Sequence, residues 1–166
     1  MTIMNRLTAN QSRHCRHLFH KRAPLSSQAS MPHTLDVLPS RRGNVGIITL
    51  NRPNALNALN MEMIRALNHT LPQFRADTSL RALLVEGCMT KRGKPVFCAG
   101  GDVKAVYMAG KEAFERDDSL GDTPLAGIPA DFFREEYIMN HMIATWPDSC
   151  PQISIWDGIV MGGGGM

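Results

Sequence analysis

Phe97-Cys98-Ala99-Gly100-Gly101-Asp102 is the stretch on which the fold of this chain turns. It follows the apolar run Ala82 to Val85 and a basic loop, and precedes Val103-Lys104-Ala105-Val106-Tyr107-Met108, which has the makings of a short helix. The two glycines let the backbone turn sharply with φ > 0, and Asp102 stands where an N-cap belongs. Unpaired N–H groups at such a turn face outward. They stabilise negative charge, either a bound anion or an oxyanion developing on an acyl group. By spacing alone, the plainer reading of the same residues is a tight loop before a capped helix.

A second glycine cluster lies near the end of the sequence. Gln152-Ile153-Ser154-Ile155-Trp156 reads as a strand, and Asp157-Gly158-Ile159-Val160-Met161 leads from it into Gly162-Gly163-Gly164-Gly165. Composition alone makes four glycines a floppy tail. After a buried strand they instead make a turn whose backbone N–H groups approach a ligand closely. Two glycine turns, each at the exit of a strand, supply two converging donors to one carbonyl oxygen.

The stretches between alternate in character. Thr34 to Leu38 alternates, Arg41-Arg42-Gly43-Asn44 supplies turn chemistry and Val45 to Leu50 is rich in β-branched residues, so a β-hairpin is expected. Asn51-Arg52-Pro53-Asn54 breaks the strand, and Met61, Ile64, Leu67, Leu71 and Phe74 then recur at helical spacing. Pro72 falls within that pattern, where it should kink or end the helix. Ala82 to Val85 is wholly apolar, as a strand buried on both faces would be. This order implies an α/β architecture.

Lys91-Arg92-Gly93-Lys94 reads as a solvated turn or as cations suited to a phosphate-bearing ligand. Residues 110–128 read as a polar connection around a short helix, with Asp117-Asp118 and Gly121-Asp122 as turn formers. From Pro129 to Thr145 helical spacing returns, and Pro147 stops it. Phe132, Met139, Ile143 and Trp146 share one face, and Glu136 projects among them. A carboxylate in an apolar stripe must be ion-paired, protonated or holding a ligand.

Composition narrows the function classes. The 166 residues, 43% of them hydrophobic, suffice for one domain with a real core. The net charge of +3 is misleading, because residues 1 to 30 hold five Lys and Arg and no acid. The remainder carries 13 basic residues against 15 acidic ones, which is no signature for nucleic acid. Cys15, Cys88, Cys98 and Cys150 make no metal-ligand spacing, so no metal is expected and the thiols are read as free. No apolar run has the roughly 20 residues needed to span a bilayer. The hydroxyl-rich, acid-free segment 1–30, with Arg6, Arg13, Arg16, Lys21 and Arg22, has the balance of a mitochondrial transit peptide. The other reading is a basic tail without a destination.

Leu50-Asn51-Arg52-Pro53-Asn54-Ala55-Leu56-Asn57-Ala58-Leu59, then FCAGGD, then FFREEY from Phe132 to Tyr137, then DGIVMGGG from Asp157, in that order, resemble the crotonase (enoyl-CoA hydratase/isomerase) superfamily. FFREEY with FCAGGD most resembles its 3-hydroxyisobutyryl-CoA hydrolase branch. The resemblance covers roughly residues 34–166 and implies an α/β fold of crotonase-like repeated ββα units, with residues 31–166 as the N-terminal part of such a domain. It implies an acyl-CoA substrate and thioester hydrolysis in mitochondrial valine breakdown, with CoA as part of the substrate and no separate cofactor.

Carried over by motif, the oxyanion hole would be the N–H groups of Gly101 and Gly163. Glu136 would bind substrate, orienting the 3-hydroxyl or the catalytic groups. CoA contacts would lie near Ala55, Leu56 and Asp102, with help from Lys91 or Lys94. The branch places a catalytic glutamate and aspartate beyond the second glycine motif and a bulky apolar residue where Gly165 stands, so an incomplete, inactive form is expected. The other expectation is a non-catalytic crotonase-fold subunit of a mitochondrial assembly such as the mitochondrial ribosome. Membrane and nucleic-acid partners are not expected, and oligomers are compatible with the family.

Overall fold

The expected hairpin forms, but its first strand lies later than Thr34 to Leu38 and takes in Arg41 and Arg42, leaving only Gly43-Asn44 for the turn. In a computed structural model, which describes residues 36–116 and 128–165, β1 (Val37–Arg42) pairs antiparallel with β2 (Val45–Leu50) across Gly43-Asn44. Gly43 has φ 54°, which a side chain would oppose. A short 3-10 helix, Pro53–Ala55, leads to α1 (Met61–Ala76). The Asn60 side chain caps α1 by accepting from the Met63 N–H.

β3 (Ala82–Gly87) and β4 (Val96–Cys98) precede α2 (Val103–Arg116). The order ββα therefore occurs twice, as the family resemblance implies. α3 (Ile128–Ala144), β5 (Gln152–Ser154), β6 (Ile159–Val160) and a 3-10 turn at Gly162–Gly165 complete the described chain. One sheet has the order β1-β2-β3-β5, with β2, β3 and β5 parallel, and β4 pairs with β6 in a second parallel sheet.

The core lies between the larger sheet and the helices α1 and α3. Ile48, Met63, Ile64, Leu71, Leu83 and Met139 are almost wholly buried, each worth about 1.5–3 kcal/mol relative to exposure. Gly46 lets α1 lie close, since a Cβ there would stand 3.1 Å from the Phe74 ring.

Four further expectations need correction. α1 does not end at Pro72, which is exposed, but continues to Ala76, because Leu71 and Phe74 on either side of it anchor the last turn in the core. β3 is not buried on both faces, since only Leu83 is fully buried and the described helices cover one side. α2 extends eight residues beyond Met108 and absorbs the start of the expected polar connection. β5 stops at Ser154, leaving Ile155 and Trp156 exposed. The segment 1–30 and the turns expected at Asp117-Asp118 and Gly121-Asp122 lie outside the described residues.

Candidate active site

The first glycine turn is fixed by the loop that breaks the hairpin. Asn57 is wholly buried with φ 54°, a conformation that asparagine tolerates better than most residues. Its Nδ2 donates to the carbonyls of Val96 and Phe97, both at 3.1 Å, and its Oδ1 accepts from the Arg52 N–H at 2.8 Å. The loop backbone is zipped to the turn. The Ala99 N–H donates to Leu56 O at 3.0 Å, Leu59 N–H to Gly100 O at 2.8 Å and Asp102 N–H to Leu59 O at 2.8 Å.

Of the two glycines, only Gly100 takes a positive φ, at 85°. Asp102 caps α2 as its position foretells, accepting from the Ala105 N–H at 3.0 Å. Its other oxygen accepts from Arg52 Nη1 at 2.7 Å, and the same nitrogen reaches Ala58 O at 2.9 Å. Burial pushes the Asp102 carboxyl up, but the Ala105 N–H and the Arg52 guanidinium together hold it below the usual range. Arg52 and Asn57 were legible only as part of a motif, because nothing in their residue types announces a hydrogen-bonded hub.

The second turn meets the first by direct backbone approach. The Met161 N–H donates to Cys98 O at 3.0 Å, and the Gly164 N–H to Met161 O at 2.9 Å. A Cβ on Gly164 would stand 2.6 Å from Cys98 O. One on Gly100 would stand 2.7 Å from Met161 O and 3.3 Å from the Gly163 nitrogen. The four glycines are thus an ordered turn at a strand exit. Neither the Gly101 nor the Gly163 N–H donates to another group among the described residues.

Glu136 closes the third side. Its Oε1 lies 3.2 Å from where a Cβ on Gly101 would be, beside the Phe132 ring. The ion pair that would account for it is absent among the described residues. Neighbouring Glu135 takes Arg65 at 2.8 Å, and Arg134 pairs with Asp131. Burial pushes the Glu136 carboxyl above its ordinary range, and burial likewise raises the Cys98 thiol beside it.

The remaining expected residues divide. Ala55 and Leu56 sit on the loop that borders Ala99, Leu56 at 40% exposure with φ 52°. Asp102 is nearby, but its carboxylate is already engaged by Arg52 and the helix cap. Lys91 and Lys94 lie exposed on a turn that Thr90 closes, with no bond to either glycine turn among the described residues. No three His, Cys, Asp or Glu side chains among the described residues gather as a metal requires. The arrangement can offer two amide donors and one carboxyl group to a ligand between the glycine turns.

Comparison with known proteins follows the same lines. A family model described as enoyl-CoA hydratase/isomerase matches residues 45–166. The mitochondrial 3-hydroxyisobutyryl-CoA hydrolase of Xenopus laevis is 42% identical over 127 residues, covering 76% of this chain and 28% of its own length. Its Mus musculus counterpart is 38% identical over 149 residues, covering 89% and 32%. A solved carnitinyl-CoA dehydratase from Mycobacterium thermoresistibile superposes with a TM-score of 0.62 at 39% identity, over 79% of this chain and 33% of that one. The chain spans less than a third of the length of these curated relatives.

Proposed function

Because the chain belongs to the enoyl-CoA hydratase/isomerase family, we propose that it holds an acyl-CoA thioester between its two glycine turns, as the part of a 3-hydroxyisobutyryl-CoA hydrolase that polarises the carbonyl. The observation that carries this reading is the approach of the Gly163 nitrogen to Gly100 while the amides of Gly101 and Gly163 have no acceptor among the described residues. A thioester oxygen placed between them accepts two hydrogen bonds, which strengthen as negative charge develops. Each such donor is worth about 3 to 4 kcal/mol in comparable sites.

In a hydrolase of which this chain is a part, water then adds to the carbonyl carbon, the C–S bond breaks to leave the carboxylic acid, and sulfur departs with one proton of the water as the CoA thiol. The groups that activate the water are not among Gly101, Gly163 and Glu136. Glu136 contacts the substrate from the α3 side, and its raised affinity for a proton suits a carboxyl that meets polar groups in a partly dry site. Ala55 and Leu56 border the path of the CoA arm. Asp102 acts on that path indirectly, through the loop it holds with Arg52. The choice of 3-hydroxyisobutyryl-CoA and of the mitochondrion follows the names of the relatives, with the acid-free basic segment 1–30 in support of the compartment.

Titration calorimetry tests the reading. The chain should bind 3-hydroxyisobutyryl-CoA saturably and more tightly than CoA alone. Gly163→Pro, which removes one donor, should weaken thioester binding and leave CoA binding in place. Absence of acyl-CoA binding by a folded wild-type chain, or indifference to Gly163→Pro, would overturn it.

A further inference from the structure

β5 faces the core the wrong way round. Its register places Gln152 beside Leu83 and Ser154 beside Val85, in the rows that continue through Gly46 and Ile48 of β2. These rows form the buried face of the sheet, for Leu83 and Ile48 are fully buried. The intervening Ile153 and the following Ile155 are 49% and 45% exposed. A strand built only to fill a core would have the opposite pattern.

The polar pair borders a cavity of about 60 Å3 between the sheet and α1 and α3, room for roughly four to six water-sized groups. Its walls are otherwise apolar, Ile48, Leu71 and Met139 among them, and Gly163 and Gly164 form its wall toward the second glycine turn. The Gln152 Oε1 is buried and has no hydrogen-bond partner among the described residues. A buried acceptor left unpaired is costly, so something that donates a hydrogen bond belongs there.

Resting on the reading of the glycine turns as a thioester site, we propose that this cavity is the acyl chamber and that Gln152 is its specificity-determining residue. It takes a short branched acyl group of about four to six non-hydrogen atoms, with a hydroxyl that donates to Gln152 Oε1. Ser154, two residues along the same face, lies on the same wall. The shared Gly163 links chamber and carbonyl site, so a chain held by its carbonyl oxygen at the turn enters the cavity within a few bonds. Apolar walls exclude longer polar chains, and the lone acceptor penalises acyl groups that lack a donor.

The test compares 3-hydroxyisobutyryl-CoA with isobutyryl-CoA by titration calorimetry on the 166-residue chain and on Gln152→Leu and Glu136→Gln. Wild type should prefer the hydroxylated ligand about ten-fold, and Gln152→Leu should abolish that preference by binding isobutyryl-CoA more tightly and 3-hydroxyisobutyryl-CoA less tightly than wild type does. Gln152→Leu should melt no lower than wild type, since it removes an unpaired buried acceptor. A wild type without preference, a preference that survives in Gln152→Leu, or one that disappears in Glu136→Gln instead would overturn the proposal. So would a lowered melting temperature of Gln152→Leu, which would mean that the amide already has a partner within the chain. If wild type binds neither acyl-CoA, the thioester reading itself has failed, which is a different result from binding without discrimination.

Discussion

The two glycine turns each carry an amide without an acceptor among the described residues, Gly101 and Gly163, yet they are held by opposite means. The first is fixed by polar side chains, with Asn57 gripping the carbonyls of β4 and Arg52 bridging Asp102 to the Ala58 carbonyl. The second has no such side-chain grip among the described residues. It is held by the pairing of β6 with β4, continued by the Met161 N–H bond to Cys98 O, and by the lack of side chains at Gly100 and Gly164, which lets the two backbones touch. A hydrogen-bonded hub weakens in steps as its bonds are removed, whereas a close approach is lost at the first added atom.

That difference orders the consequences of substitution. Gly164→Ala puts a Cβ 2.6 Å from a backbone oxygen that cannot swing aside. It should cost about 3 kcal/mol or more in denaturant unfolding and separate the turns, so that thioester binding is lost. Wild-type stability in this variant would break the comparison. Asn57→Ala should cost about 2 to 3 kcal/mol in the same assay, because it leaves the Val96 and Phe97 carbonyls and the Arg52 N–H without their partner. Its thioester binding should be weakened in proportion rather than abolished.

Asp102→Asn sharpens the account of the first turn, since asparagine caps helices nearly as well and only the ion pair is removed. It should cost about 1 to 2 kcal/mol at pH 7. The Asp102 pKa is depressed in the folded chain, so its stabilisation is complete above the unfolded value near ~3.9 and is lost as the pH falls through the folded value. Wild type and variant should therefore converge in acid.

The smallest expected effect belongs to Glu136→Gln. The Glu136 pKa is raised by burial, so wild-type stability falls as the pH rises from the ordinary glutamate range through the raised value. The glutamine variant should match wild type in acid and melt slightly higher at neutral pH, while binding substrate less well. A variant less stable at neutral pH would show that Glu136 has a stabilising partner.

Much of this was legible in sequence because it depends on local chemistry. The β-hairpin, the Asp102 cap and the apolar face containing Phe132 and Met139 follow from turn residues, capping and helical period. The convergence of the two glycine turns was readable as a possibility, and its geometry needed the pairing of β4 with β6. Pro72 misled because a local rule ignores the packing of Leu71 and Phe74. β3 misled because an apolar run does not say how many faces are covered. The reversed face of β5 could not be read at all, since an alternating strand becomes anomalous only once its register with β3 is known.

The central claim is that Gly101 and Gly163 together polarise a thioester carbonyl. Isotope-edited infrared spectroscopy of bound 3-hydroxyisobutyryl-CoA, labelled at the thioester carbonyl, measures this directly. The account predicts a carbonyl stretch shifted to lower frequency than in solution, moving part of the way back in folded Gly163→Pro. A bound ligand whose carbonyl absorbs at its solution frequency in the wild-type chain would contradict it.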